Sequence, residues 1–396
     1  MSQVEVDKII PQSGTTLTVG DSGDTIAFTS GANLSVDGTI KLDGNYPVGT
    51  NNVALGDLAF NSLTSGTHNI AIGNASLYTI TTGTYNVGIG RSSLFYNTGS
   101  CNVALGGLSL LNNSSGGNNT AIGTQALQGN TTASNNTALG YASLCSNTTG
   151  TQNVVVGANT LSASTDADAN VAIGYNTLCS QTAVGFTYNT AVGYASLSSN
   201  TTGVNNTAMG GLSLNANTIG IENTAFGRCA LRCNTTAFYN AAVGFKALSL
   251  NTTGCYNTAL GHSSLLNNTT ASNNTAVGYQ SLLVNTTGTK NTALGRCSLA
   301  SNTTASNNTA VGFNALLDNI TGGSNVAVGT CALQNNTASC NVGIGLQAMY
   351  CNTTGSCNTA LGYQSLFANT TGANNTSIGL MLYVVKLLLD LPIIQQ

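Results

Sequence analysis

Along most of this 396-residue chain, apolar and polar positions alternate in short bursts that recur at a fixed interval. Each burst runs Asn, then Thr or Val, then Ala, then a large aliphatic residue, then Gly. Side chains that change sides with a period of two are the pattern of a β-strand. Taking the Gly as an anchor gives twenty copies, from Gly56 to Gly379, spaced by 17 residues apart from two steps of 16 and one of 19. The long step, Gly174 to Gly193, contains an extra echo, "TAVGFTYNTAVG". The full unit is N-T-A-h-G-Y-x-S-L-x-x-N-T-T-G-x-x, where h is a large aliphatic residue.

A 17-residue unit is too short for a helical-hairpin repeat, which takes about 33 residues or more. The N-T-T-G and T-A-S-N-N stretches carry turn chemistry, and a second short strand is expected around S-L-x-x. Two short strands and two turns make one coil of a solenoid, so the prediction is all-β: a parallel β-solenoid (β-roll) of about twenty coils. At a rise of roughly 4.8 Å per coil the rod is about 90 Å long. The columns that should stack are represented by Asn69, Asn136, Asn206 and Asn274, by Gly73, Gly140, Gly210 and Gly278, and by Leu77, Leu144, Leu214 and Leu282. The anchor Gly is expected where φ is positive or where another segment comes close. The Asn four before it, present in all twenty copies, fits two readings. Its amides form a hydrogen-bonded ladder along the rod, or Asn merely tolerates a left-handed turn.

Alternation sends Ala and the aliphatic residue to opposite faces. If Ala lines the lumen, Leu55, Ile72, Ile89, Leu105 and their successors form an outward stripe on the order of 1,000 Å², more than soluble monomers usually leave bare. A parallel homo-oligomer, most economically a trimer, covers such a stripe by symmetry. The reversed arrangement, with the aliphatic residues filling a monomeric solenoid, is the alternative.

Segments such as "NVAIG…SL" and "NTAVGYASL" resemble the head repeats of trimeric autotransporter adhesins, and similar repeats occur in phage tail fibres. The resemblance spans residues 51–379 and rests on a short, low-complexity motif. It implies a parallel β-roll built from three chains. The opening "VDKIIPQSGTTLTVGDSGDTI" looks like the start of phage virion fibre proteins. An autotransporter's signal peptide, heptad stalk and membrane barrel have no counterpart in the sequence. Glu5, Asp7 and Lys8 fall where a secretory segment needs an apolar stretch. A virion protein assembled in the host cytoplasm needs no such signal.

Three regions follow. Residues 1–47 show paired alternations such as Leu17/Val19 and Ile26/Phe28 between turn signals, and are expected to form a small β attachment or capping region. Residues 48–379 form the shaft. Residues 380–396 form a hydrophobic tail that Lys386 and Asp390 interrupt, too short for the roughly 20 apolar residues of a membrane span. The tail fits a capping strand or a frame change: with synonymous codons, a shifted frame after Gly379 reads as another copy of the repeat.

Composition narrows the chemistry. Only 5% of residues are charged and the net charge is −3, so nothing is built to neutralise phosphate or an anionic membrane. The shaft holds five acids, Asp57, Asp166, Asp168, Glu222 and Asp318, far fewer than a calcium-binding β-roll with a carboxylate in every unit. His68 and His262 stand in variable slots, and the basic residues Arg228, Arg232, Lys246, Lys290 and Arg296 are sparse, without interleaved aromatics that argue for nucleic acid. No catalytic residue, metal ligand or cofactor is expected, and no ligand-binding residue is indicated. The eleven cysteines read as free thiols, with Cys340 and Cys357 close enough across one coil for a disulfide. Asn-x-Thr triplets match glycosylation acceptors only in a secreted chain and otherwise read as turns.

The expected function is structural: the shaft of a virion tail fibre that presents a distal host-recognition tip. Its partners would be copies of itself, a virion attachment partner at the N-terminal region and a host-surface receptor, without nucleic acid or membrane insertion. One alternative is an adhesin binding receptor glycan through the solenoid sides. Another is ice binding, against which Val or Ile replaces the Thr three before the anchor in eight copies.

Overall fold

The computed structural model describes residues 49–380. Twenty strands of three residues each, from Val53–Leu55 to Thr376–Ile378, form one continuous parallel sheet, one strand per coil. Pairing is strictly in register, from Val53 with Ile70 and Leu55 with Ile72 to Leu361 with Ile378. The protein is an all-β parallel solenoid of coils about 17 residues apart, with no helix among the described residues. The expected N-terminal β region and all of the tail beyond Leu380 lie outside the described residues.

Every strand but the first and the last buries its middle residue. Ala71, Ala138, Ala208 and Ala276 have no exposed surface, whereas the aliphatic residue after them points outward, as at Leu55 and Leu139. Ala therefore lines the lumen, and the arrangement with the aliphatic row inside is excluded. The opposite wall is the Leu four after the anchor, fully buried at Leu77, Leu144, Leu214 and Leu282. Ala leaves a thin lumen and Leu fills it, so one continuous apolar core runs from Phe60 to Leu366.

The second strand expected around S-L-x-x does not form. That stretch is a turn in which the second and fourth residues after the anchor both take left-handed conformations, with φ of 49° at Ala142 and 51° at Leu144. Extended backbone needs negative φ, so no strand fits there. The turn still bonds to the next coil, as where the Leu144 amide donates to the Thr160 carbonyl at 3.0 Å. A left-handed Leu costs about 1–2 kcal/mol, which its complete burial offsets. The conformation also explains a restriction in the sequence. From Phe60 to Leu366 this column holds Leu, Phe60 or Met349 and never Val, Ile or Thr, because a second branch at Cβ is not tolerated at positive φ.

The anchor glycines meet both expected demands. At Gly210 φ is 130°, outside what a side chain allows, and a Cβ would lie 2.6 Å from the Gly227 carbonyl carbon of the next coil.

The Asn four before the anchor is a ladder residue and not a turn former. Its neighbour one residue earlier takes the left-handed conformation instead, with φ of 63° at Asn273, and that slot accepts Tyr, Cys, Lys and Glu elsewhere. Asn274 is fully buried. Its Oδ1 accepts the Asn291 amide at 3.0 Å, and its Nδ2 donates to the Gly288 carbonyl at 2.9 Å. The same pattern holds Asn69, Asn136 and Asn206. A second buried ladder occupies the slot seven after the anchor, where Asn285 Nδ2 donates to Asn268 Oδ1 at 3.0 Å and to the Gly288 carbonyl at 2.9 Å. Wherever both slots hold Asn, the two ladders meet on that one carbonyl, which closes the coil; in the first two coils the second slot is filled instead by buried Leu63 and Ile80. Buried polar groups that are satisfied in this way reinforce a single register.

Two kinds of irregularity test this scheme. In each 16-residue step the turn between the ladders loses one residue, and the ladders bond directly, Asn341 Nδ2 to Asn336 Oδ1 at 3.0 Å and Asn102 Nδ2 to Asn97 Oδ1 at 3.3 Å. Around the 19-residue step, Ser164 and Gln181 replace Asn in the second ladder. Asn147 Oδ1 and Gln181 Nε2 are then left buried without partners. The inserted residues form a small separate pairing of Gly185–Phe186 with Ala167–Asp168.

Candidate functional site: the outward-facing rows

A solenoid turns each sequence column into a row along the rod, so its surfaces are rows of repeated slots. The ladder columns Asn69, Asn136, Asn206 and Asn274, the anchors Gly73, Gly140, Gly210 and Gly278, and the Leu77, Leu144, Leu214 and Leu282 column all belong to the interior. They build the scaffold and leave interaction chemistry to the outward rows, three of which lie within three residues of the anchor.

The first row is the aliphatic residue before the anchor. Leu105, Leu139, Phe226, Leu260 and Leu361 are each more than 40% exposed, and the row is unbroken over twenty coils. The second is the Thr or Val at the start of each strand, on the same face and partly exposed. Together they make a narrow apolar strip one strand wide.

The third row stands one residue after the anchor and is not uniform. Over six successive coils it holds Arg228, Phe245, His262, Tyr279, Arg296 and Phe313. Arg228 lies over the Phe245 ring at 5.9 Å, Phe245 and His262 are 5.1 Å apart, and His262 and Tyr279 are 5.3 Å apart. The Arg296 guanidinium sits between Tyr279 at 5.9 Å and Phe313 at 5.4 Å. Lys246 Nζ also lies over the Phe245 ring, at 5.2 Å. Arg228, Lys246 and Arg296, which look isolated along the chain, are thus set against aromatic rings once coils stack, because residues 17 apart become neighbours. Linear reading hid this; reading the variable slots down the 17-residue period would have found it.

At Lys246 the surface dips into a recess of 210 Å³ lined by Cys229, Arg232, Lys246, Ser249, Leu250 and Leu266. Elsewhere, His68 stacks on Tyr85 at 4.8 Å and bonds Asn51 and Thr67. Near the irregular coil, exposed Phe186 stacks on Tyr188 at 5.5 Å.

All eleven cysteines are unpaired, including the neighbouring exposed pair Cys340 and Cys357. Burial pushes the Cys331 thiol up from its ordinary value. Among the described residues no group of three or more His, Cys, Asp or Glu is placed to hold a metal ion, and no helix is long and apolar enough to cross a membrane. Comparison with protein-family models and with curated protein sequences finds no match.

Proposed function

We propose that this chain is the shaft of a fibre, assembled from parallel copies of itself and carried on a virion, where it holds a distal recognition tip away from the particle. The observation that carries the reading is the unbroken outward apolar row, one large side chain per coil for the whole described length, half of them exposed and the rest half-buried. A strip of about 1,000 Å² is larger than soluble monomers usually leave bare and matches the roughly 800 Å² per partner of a standard stable interface. Three parallel copies, each turning this strip inward, bury it with one symmetry operation. The mechanism of a shaft is stiffness. Here it comes from in-register strand pairing, two buried Asn ladders and a Leu-filled lumen, which together leave no hinge within a coil. Placement on a virion rests on the resemblance of the repeats and of the opening residues to phage fibre proteins. Immunogold electron microscopy of purified particles tests it: label on straight projections at least about 90 Å long supports the reading, and particles free of label overturn it.

The interleaved cation–aromatic row favours a second reading, in which the solenoid sides themselves bind a glycan receptor. The two readings are compatible, since one uses the aliphatic strip and the other the row beyond the anchor.

A further inference from the structure

We propose that the row from Arg228 to Phe313, with Lys246 beside it, is a binding track for an extended acidic polysaccharide whose carboxylate or sulfate groups are taken by Arg228, Lys246 and Arg296. This deepens the reading of the solenoid sides as a glycan-binding surface and rests on it.

Charge is the first argument. Between Glu222 and Asp318 the chain holds Arg228, Arg232, Lys246, Lys290 and Arg296 and no acidic residue, in a protein whose net charge is −3. Such segregation makes a positive band on an otherwise nearly uncharged rod, and that band attracts polyanions.

Free valence is the second. Among the described residues, the side-chain cations of Arg228, Arg296 and Lys246 have no hydrogen-bond or ion-pair partner, and their contacts to charged or aromatic groups are the ring faces. The Arg296 guanidinium lies between the Tyr279 and Phe313 rings on an exposed side chain, with its N–H groups unpartnered. A guanidinium held that way is set to bind a carboxylate or sulfate with two parallel hydrogen bonds, with little ordering cost left to meet. Homo-oligomer formation would not cover these cations, because parallel copies bring like charges together and burying unpaired cations is strongly unfavourable.

Spacing and shape come third. Successive slots rise by about 4.8 Å, close to the length of one pyranose unit, so a linear polysaccharide laid along the rod meets one slot per sugar. The ring edges of Phe245 and Phe313 and the Tyr279 hydroxyl offer apolar and polar contact between the charges. The recess lined in part by Lys246 and Arg232 gives a side pocket for one acidic sugar. Single-stranded nucleic acid is disfavoured. It needs open ring faces for its bases, and here each face of His262 and Tyr279 is already covered by a neighbour in the row.

The test measures binding of the full chain to hyaluronan, chondroitin sulfate, neutral dextran, a poly-dT oligonucleotide and polyglutamate, at low and physiological salt. The expected result is binding to one or both acidic polysaccharides, weakened by salt, with none to dextran and weaker binding to the other two polyanions. Arg228→Gln combined with Arg296→Gln should weaken it by about a hundredfold, about tenfold for each charge-assisted pair lost. Arg91→Gln, outside the track, should leave it unchanged. The mass in solution and circular dichroism of each variant should match the parent, since these side chains are exposed. Failure to bind either acidic polysaccharide, unchanged binding in the double variant, or tighter binding of oligonucleotide or polyglutamate would overturn the track. Binding of neutral glycans on an array, insensitive to the double variant, would overturn it while leaving a glycan-binding side surface in place.

Discussion

Asn273 and Asn274 are adjacent in sequence and opposite in role, which makes them a matched pair for testing the interior ladder. Asn273 is exposed and left-handed; Asn274 is fully buried and bridges three coils. Replacing Asn274 by Ala leaves the Asn291 amide buried with no acceptor, a loss of about 1–3 kcal/mol. The Gly288 carbonyl loses one of its two donors and keeps Asn285, which adds about 0.5–1.5 kcal/mol. The expected total is about 3 kcal/mol, confined to the neighbouring coils because repeat arrays couple mainly through nearest neighbours. Asn273→Ala loses no ladder bond and costs about 1 kcal/mol or less through its left-handed backbone. A global melt is a poor readout, since long arrays need not unfold in one step. Amide hydrogen exchange followed by mass spectrometry resolves the coils. Asn274→Ala should speed exchange across residues 274–308 by about a hundredfold, and coils around Gly73 should exchange at the parent rate. Equal effects from the two substitutions would refute the ladder as a source of stability.

Other columns give further tests. Leu282→Ile keeps the volume but puts a β-branched residue at a φ of 49°, so it should cost about 2 kcal/mol or more, where the same exchange in ordinary backbone costs less than about 1.5; local hydrogen exchange measures it. Gly210→Ala should be worse, roughly 3 kcal/mol or more, because strain at φ of 130° adds to a collision with the next coil. Thiol labelling at pH 8 should modify exposed Cys101, Cys340 and Cys357 well before buried Cys229 and before Cys331, whose raised pKa leaves less thiolate at that pH. A freezing-hysteresis assay should give none, since Val or Ile interrupts the Thr row in eight copies.

The scaffold was largely legible in the sequence because a solenoid makes each demand once per coil. Gly56 to Gly379 announced the period, and the alternation of Ala with an aliphatic residue announced that the two face opposite ways, although only burial of the Ala column decides which of them faces in. Two interior features were not read. The N-T-T-G stretch looked like a turn, and its Asn285 and Asn268 do stand at one, but they also carry a buried ladder that only stacking shows. The left-handed Leu144 leaves no positive mark in the sequence; its trace is the lack of β-branched residues in that column. The candidate track was the least legible, because Arg228 and Phe245 are neighbours only when 17 residues of chain have closed a coil.

The claim that the aliphatic row is a self-association surface is tested most directly by sedimentation equilibrium of the full chain, beside the double substitution Leu260→Asp with Leu294→Asp. The account predicts a parent mass three times the 39.9 kDa of one chain. It also predicts dissociation of the variant, with its β-rich circular dichroism retained because both side chains lie outside the lumen. A parent that sediments as a soluble single chain at every concentration, or a variant that associates as the parent does, would contradict it.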